Sequence, residues 1–247
     1  MKSLLVAIGF LTTIPVPQIG EYEPDALGRS TAWFPIVGLL IGGLVAGAYY
    51  GLSFILPAPL VAVFATIVWV ALSGGLHLDG LADSFDGLLP AVSREKRLSI
   101  LKDVHLGAFG VMGLVLALLA KAFLLFSLPQ EQLFFAIPLA AATGRWALVL
   151  AALQPSARPG GLGDITKQGM RKSSWLLAAL QMLVMLAVAV YFGRWQALIA
   201  FGVAHLLILR VFVSARKKLG GLTGDIFGLC AELSELVVLS VFCLTVF

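Results

Sequence analysis

Charge is what this chain has least of. Lysine, arginine, aspartate and glutamate make up 12% of its 247 residues, against roughly a quarter in a soluble domain. Apolar residues make up 60%, and the mean hydropathy is +1.01. Too little polar surface remains to coat a water-soluble core, so the bilayer is the expected solvent. Cysteine is almost missing as well. Cys230 and Cys243 fall thirteen positions apart on one predicted helix, where they cannot bridge each other, and they read as packing residues. Nor is there a basic run longer than Arg216-Lys217-Lys218, which speaks against a nucleic-acid partner. The opening "MKSLLVAIGFLTTIPVP" lacks the small-residue cleavage pattern of a signal peptide. It reads instead as a short interfacial or re-entrant helix, retained in the mature protein.

Apolar segments are abundant. A helix needs about 20 apolar residues to cross the hydrocarbon, and seven segments approach that length: about 33–56, 59–76, 108–128, 132–153, 174–192, 195–214 and 227–247. In lipid the backbone must satisfy its own hydrogen bonds, so each is expected to be helical. The expected fold is an all-α, polytopic membrane helical bundle of about seven transmembrane helices, a single integral membrane domain over 1–247. With these spans, Lys2, Arg29, Arg94, Lys96, Arg97, Lys102, Arg158, Lys167, Arg171, Lys172, Arg216, Lys217 and Lys218 share one side of the membrane. Arg194 alone is opposite, and Lys121, Arg145 and Arg210 lie within spans. Loop cations mark the cytoplasmic side, so the N-terminus is expected inside. The net charge of +4 is read as this topogenic signal.

Against that background "GGLHLDGLADSFDG" (74–87) stands out, with Asp79, Asp83 and Asp86 close together beside His77. On a helix over 76–88 these acids are i, i+4 and i+7 and share a face. Like charges so placed repel one another, and a divalent cation removes the repulsion. Mg²⁺ suits the all-oxygen donors and keeps positions free for water or phosphate oxygens. The plainer reading is a solvated acidic turn made by Gly80 and Gly87. The apolar flanks, the histidine and the glycines favour the metal.

Other acids gather at the same face. Glu95, Asp103, Asp164 and Asp225 lie in cytoplasmic segments, and only Glu131 is clearly outside. "SREKRLSILKDVHLGAFG" (93–110) suggests a short amphipathic helix ending near Gly107, with Arg94, Lys96, Arg97 and Lys102 either near the acids or pairing with anionic headgroups. Lys102, Asp103 and His105 sit where the chain re-enters the membrane. "GGLTGD" (220–225) repeats the GGL-x-x-Asp pattern, and "GGLGD" (160–164) is a looser copy. Gly220, Gly221 and Gly224, ahead of the last span, could present backbone N–H groups to a phosphate, although glycines also serve close helix approach in membranes. Within the last span Glu232 and Glu235 share a face and require partners; Arg145 and Arg210 are the candidates. A carboxylate face, nearby cations and glycine turns together point to phosphoryl transfer on an amphiphilic substrate.

The ordered blocks "FLTTIPVP" (10–17), "FPIVGLLIG" (34–42), "GGLHLDGLADSFDG" (74–87), "REKRLSILKDVHLGAFG" (94–110) and "GGLTGDIFGLCAELSE" (220–235) resemble the cobalamin synthase family (adenosylcobinamide-GDP ribazoletransferases, or cobalamin 5′-phosphate synthases) over nearly the whole chain. One departure is "KDVHLG", where relatives often read Lys-Asp-Ser-Arg-x-Gly; it puts the role of position 105 in question.

The resemblance implies a Mg²⁺-dependent enzyme of the cytoplasmic membrane, with a cytoplasmic active-site loop over about 77–107. The hydroxyl of α-ribazole, or of its 5′-phosphate, attacks the cobinamide-side phosphorus of adenosylcobinamide-GDP, and GMP leaves. The expected metal ligands are Asp79, Asp83, Asp86, Asp103 and Asp225. Lys102, Arg145, His77 and the glycines 220, 221 and 224 are expected to bind substrate phosphate, with His105 and Asp103 as catalytic residues. Partners beyond the substrates are the lipid bilayer and no nucleic acid; a homo-oligomer is compatible with the sequence. The runner-up is a CDP-alcohol phosphotransferase, whose signature opens Asp-x-x-Asp-Gly as at Asp83, Asp86 and Gly87. Its following Ala-Arg and its second half are missing here. An ion-coupled transporter, the third reading, expects acids near the midplane between inverted repeats, whereas these acids crowd one face.

Overall fold

The computed structural model describes residues 2–17, 23 and 25–244. Its described residues form helices throughout, apart from one isolated bridge between Ser156 and Leu222. In chain order they are α1 (Lys2–Leu11), α2 (Ala26–Ser30), α3 (Phe34–Leu52), α4 (Ala58–Ser73), α5 (Leu76–Leu88), α6 (Arg94–Ile100), α7 (Ala108–Ser127), α8 (Leu133–Ala152), α9 (Leu162–Gly169), α10 (Lys172–Tyr191), α11 (Gln196–Leu219) and α12 (Gly224–Phe242).

Each of the seven apolar segments is a helix. Five helical segments are long and apolar enough to cross a membrane, and six if α4 and α5 count as one bent span. The seventh segment, α12, carries Asp225, Glu232 and Glu235 in its length. The loop helix α6 stops at Ile100 rather than near Gly107. It begins with the Ser93 hydroxyl accepting from the Lys96 N–H at 3.3 Å.

Helix α8 is the axis of the bundle, buried on almost every side. Small residues make this possible. Gly38 and Gly42 of α3 lie on the α8 backbone, where a Cβ on Gly38 would fall 2.5 Å from the Ala141 carbonyl oxygen and one on Gly42 2.4 Å from the Pro138 Cα. Close backbone approach is how membrane helices gain packing when lipid removes the hydrophobic drive between them. By contrast α7, α10 and α11 expose rows of leucine, valine and phenylalanine, the surface that acyl chains would cover.

The chain turns sharply between α4 and α5. Gly74 and Gly75 follow one another at φ +62° and +70°, a left-handed pair that only glycine adopts without strain. The two helices consequently diverge by 92°, and α5 turns away from α4 with most of its residues buried. Thr13, from the "FLTTIPVP" block, secures this corner. Its N–H donates to the Leu72 carbonyl and its hydroxyl to that of Ala71, both at 2.9 Å, and so satisfies carbonyls that the end of α4 leaves open.

Candidate active site

All three copies of the GGL motif lead into a helix at one end of the bundle: Gly74-Gly75 into α5, Gly160-Gly161 into α9 and Gly220-Gly221 toward α12. The first glycine of each has positive φ, +62°, +72° and +82°. Their helix N-termini converge on a cavity of about 150 Å³, whose wall includes His77, Asp79, Gly161, Gly163, Gly224 and Asp225. The repetition in the sequence is thus a repeated turn into a helix, with all three turns meeting at one place. Gly224 lines the cavity as the first residue of α12. Gly220 caps α11 beneath the Arg94 guanidinium, and Gly221 lies on the Ser156–Ala157 backbone, where a Cβ would meet Ala157 N at 2.6 Å.

The three acids of α5 have different surroundings. Asp79 is exposed, Asp83 half-buried and Asp86 buried. Asp86 accepts from the N–H of Gly107 at 2.7 Å and of Gly110 at 2.9 Å, so its two oxygens hold the N-terminus of α7. At the other end of this stretch, Arg97 donates to the Gly87 and Leu88 carbonyls and Lys218 to Leu88, all at 2.8 Å. These cations close the C-terminus of α5. Arg97 therefore serves the protein rather than lipid headgroups.

Asp83 and Asp79 feel the charge of Asp225, which enters from the first turn of α12 and accepts from the Thr223 hydroxyl at 3.0 Å. Burial, with Asp225, Asp79 and Asp86 around it, pushes the Asp83 carboxyl up to about 6, and the Arg158 charge opposes this. Asp225 is pushed up by burial too, against its bond from Thr223 and against Arg158. Arg158 is the residue that sequence reasoning left among the loop cations. It lines the cavity with Asp79 and Asp225, and one of its nitrogens donates to the Leu101 carbonyl at 3.1 Å. Its position directly before "PGGLGD" was the available signal.

Among the described residues no three His, Cys, Asp or Glu side chains lie close enough together to hold a metal ion as placed. The donor set is nevertheless one that a hard cation suits: carboxylates only, in net excess over the neighbouring guanidinium, with Asp83 made harder to ionise by burial and by the other acids. Asp79, Asp83, Asp86 and Asp225 make up this set, and each oxygen of Asp86 also accepts one N–H of α7.

The remaining expected residues are spread apart. Lys102, Asp103 and His105 sit exposed on the turn between α6 and α7. The His105 ring lies 2.7 Å from Asp103 and holds that carboxyl below the usual carboxylate range; the other charged neighbour of Asp103 is Lys96. Arg145 is fully buried in α8 and ion-paired with Glu235, while Lys121 of α7 donates to Glu232 at 2.7 Å and to Glu235 at 2.6 Å. Lys121 thus fills the place expected of Arg210, which is exposed on α11. His77 is buried and lines the cavity, with neither ring nitrogen hydrogen-bonded.

Known proteins match this chain along its length. The family model for cobalamin-5-phosphate synthase covers residues 3–243. An adenosylcobinamide-GDP ribazoletransferase of Deinococcus radiodurans is 41% identical over 96% of this chain and 84% of that protein. Proteins of the same name from Pseudomonas fluorescens (41% identical, 97% of this chain and 98% of that protein) and Desulfitobacterium hafniense (36%, 97% and 95%) are similar over comparable lengths. No solved structure matches it. With one family model spanning nearly every residue and relatives matched over most of their length, the chain belongs to the cobalamin-5-phosphate synthase family.

Proposed function

We propose that this protein is a Mg²⁺-dependent adenosylcobinamide-GDP ribazoletransferase of the cytoplasmic membrane, with its N-terminus and its active site on the cytoplasmic side. The observation that carries the reading is the meeting of Asp79, Asp225 and Arg158 in the lining of one cavity, with Asp83 as their charged neighbour.

In this reaction the hydroxyl oxygen of α-ribazole, or of its 5′-phosphate, forms a bond to the cobinamide-side phosphorus. The bond from that phosphorus to the bridging oxygen breaks, GMP departs with that oxygen, and the hydroxyl proton is released. Transfer from a diphosphate asks the protein mainly for positioning and for neutralisation of phosphate charge. Asp79, Asp83 and Asp225 would hold Mg²⁺, with Asp103 brought in if the exposed 102–106 turn folds over the site. Bound Mg²⁺ would supply charge stabilisation on the diphosphate oxygens and on the leaving group. Arg158 adds a fixed cation beside these acids, and Lys102 offers a second from the turn. Asp86 keeps α7 and α5 in register, so that Asp83 stays aimed at Asp225. His105, paired to Asp103, is in reach of solvent and can pass the released proton outward.

The test is GMP release by the purified protein in detergent, given adenosylcobinamide-GDP and α-ribazole, with Mg²⁺ present and then removed by chelation. Release that stops on chelation and returns with Mg²⁺ is expected. Turnover of a CDP-activated lipid precursor without GMP release would overturn the reading.

A further inference from the structure

The cavity has two unlike ends. Its mouth carries Asp79, Asp225 and Arg158, while its wall is built from Phe10, Phe34, Leu148 and Phe227. The Phe10 and Phe34 rings lie nearly parallel, 6.1 Å apart at 23°. Its volume of about 150 Å³ is that of apolar cavities known to take a single small aromatic molecule. A corrin is far too large to enter. Among the polar side chains that line it, the hydroxyls are already committed: Ser156 donates to Arg158 O, Thr166 to Leu162 O and Thr223 to Asp225. Two groups are not: the Nε of Arg158, and His77, which is 3% exposed with both ring nitrogens lacking a partner. A buried polar group left unpaired is costly, so a bound molecule that satisfies it is favoured there.

From this we infer that the cavity is the subsite of the acceptor nucleoside and that His77 is its specificity-determining residue; the inference rests on the transfer reaction proposed above. The flat base lies against Phe10, Phe34, Leu148 and Phe227. A neutral imidazole has one N–H to give and one nitrogen to receive. Its N–H donates to the edge nitrogen of the base, the single acceptor that a benzimidazole retains once its other nitrogen carries the sugar. Guanine, the other base in the reaction, fits this wall poorly. Its edges present two acceptors together with an amino donor, and one imidazole among phenyl rings would leave most of them unpaired. With the base inward, the sugar stands at the mouth. There its hydroxyl faces Asp79, Asp225 and Arg158, where the diphosphate would be held.

The experiment compares two acceptors on the full-length protein in detergent: α-ribazole and the analogue whose base is indole, with the edge nitrogen replaced by C–H. The wild type should prefer α-ribazole by about tenfold in kcat/KM, the worth of one hydrogen bond. His77→Leu should lose that preference while the KM for adenosylcobinamide-GDP stays within about twofold. Leu148→Trp, which fills the wall, should raise the KM for α-ribazole tenfold or more. A His77→Leu enzyme that keeps the preference, or variants whose KM changes fall on adenosylcobinamide-GDP, would overturn the assignment while leaving the transfer reaction intact. Should the wild type release no GMP, the proposed reaction fails, and the cavity is read by α-ribazole binding alone, followed through its benzimidazole fluorescence. Binding lost in Leu148→Trp supports the subsite; binding equal to wild type removes it.

Discussion

Gly80 of α5 and Gly228 of α12 cross in contact: a Cβ added to Gly228 would lie 3.0 Å from the Gly80 Cα, and one added to Gly80 would lie 3.2 Å from the Gly228 Cα. The same added atoms would fall 2.8 Å from the carbonyl oxygens of His77 and Asp225. This crossing brings the acids of α5 against Asp225. Its partners are backbone atoms, which cannot swing aside, so a methyl group must separate the helices. Gly80→Ala and Gly228→Ala are each expected to cost about 1–3 kcal/mol of stability. GMP release should fall tenfold or more, because Asp225 moves away from Asp79 and Asp83. Gly43→Ala is the control, since a Cβ there meets nothing within 4 Å. Unfolding in detergent and initial rates for the three variants check this; a Gly228→Ala protein as active as Gly43→Ala would mean the crossing does not set the site.

Much of this architecture was legible in the chain. All seven apolar segments are helices, because apolar length alone dictates helix in lipid, and the i, i+4, i+7 spacing of Asp79, Asp83 and Asp86 does lie on one helix. What hid was tertiary pairing. Nothing local distinguishes Asp86 from Asp83, yet Asp86 is bound by backbone N–H groups more than twenty residues away. Arg210 and Lys121 both sit in apolar helices with no polar stripe to show which face turns inward. Lys121 faces α12 and Arg210 does not. Arg158 was hidden by its place in an irregular loop, where neither periodicity indicates direction.

The proposed orientation rests on the excess of loop cations on one side. Ser93, Gln130 and Ser173 are all exposed, so each can report. With Cys230 and Cys243 replaced by alanine, single cysteines at 93 and 173 should be shielded from an impermeant thiol reagent in intact cells, and one at 130 should be labelled. Labelling at 93 from outside would reverse the topology.

Four buried charges, Lys121, Glu232, Arg145 and Glu235, tie α7, α8 and α12 together. Removing one member of such a set leaves an uncompensated charge, at about 3–5 kcal/mol. Lys121→Met should therefore lower thermal stability sharply. Adding Glu232→Gln restores neutrality, leaving the Arg145–Glu235 pair, and should recover more than half of the loss. If the double variant is no more stable than Lys121→Met, packing of the lysine stem rather than charge balance holds these helices.

Asp83 gives a pH signature in the metal-free protein. Its carboxyl is pushed up to about 6 by burial and by Asp225, Asp79 and Asp86, above the roughly 3.9 of an unfolded chain. A folded value raised in this way adds stability that is full below about 4 and is lost as pH climbs through about 6. The Tm of chelated wild type should thus fall relative to Asp83→Asn between pH 4 and 7. Added Mg²⁺ should close the gap. Parallel curves for the two proteins would place Asp83 outside the acidic group.

The three acids of α5 should separate when each is replaced by asparagine. Asp79 and Asp83 repel their neighbours without a cation and bind it when it is present. Their Asn variants should keep or slightly raise metal-free Tm, yet lose about 10²-fold or more in rate, a few kcal/mol of transition-state stabilisation. Asp86 is different, because its two oxygens each take a backbone N–H of α7. Asparagine has one carbonyl oxygen and so leaves one of those N–H groups unpaired. Asp86→Asn should therefore lower the Tm with or without metal, by an amount corresponding to about 1 kcal/mol. Its rate should fall while the Mg²⁺ concentration for half-maximal activity stays near wild type, since the site is displaced but no ligand is lost. For Asp79→Asn and Asp83→Asn that concentration should rise. Rate against Mg²⁺ and Tm with and without it, measured on all three, decide the matter. A shifted Mg²⁺ requirement in Asp86→Asn with unchanged stability would make Asp86 a metal ligand and not a helix cap. Wild-type rates and Mg²⁺ dependence in Asp79→Asn and Asp83→Asn would remove the metal from this acidic face altogether.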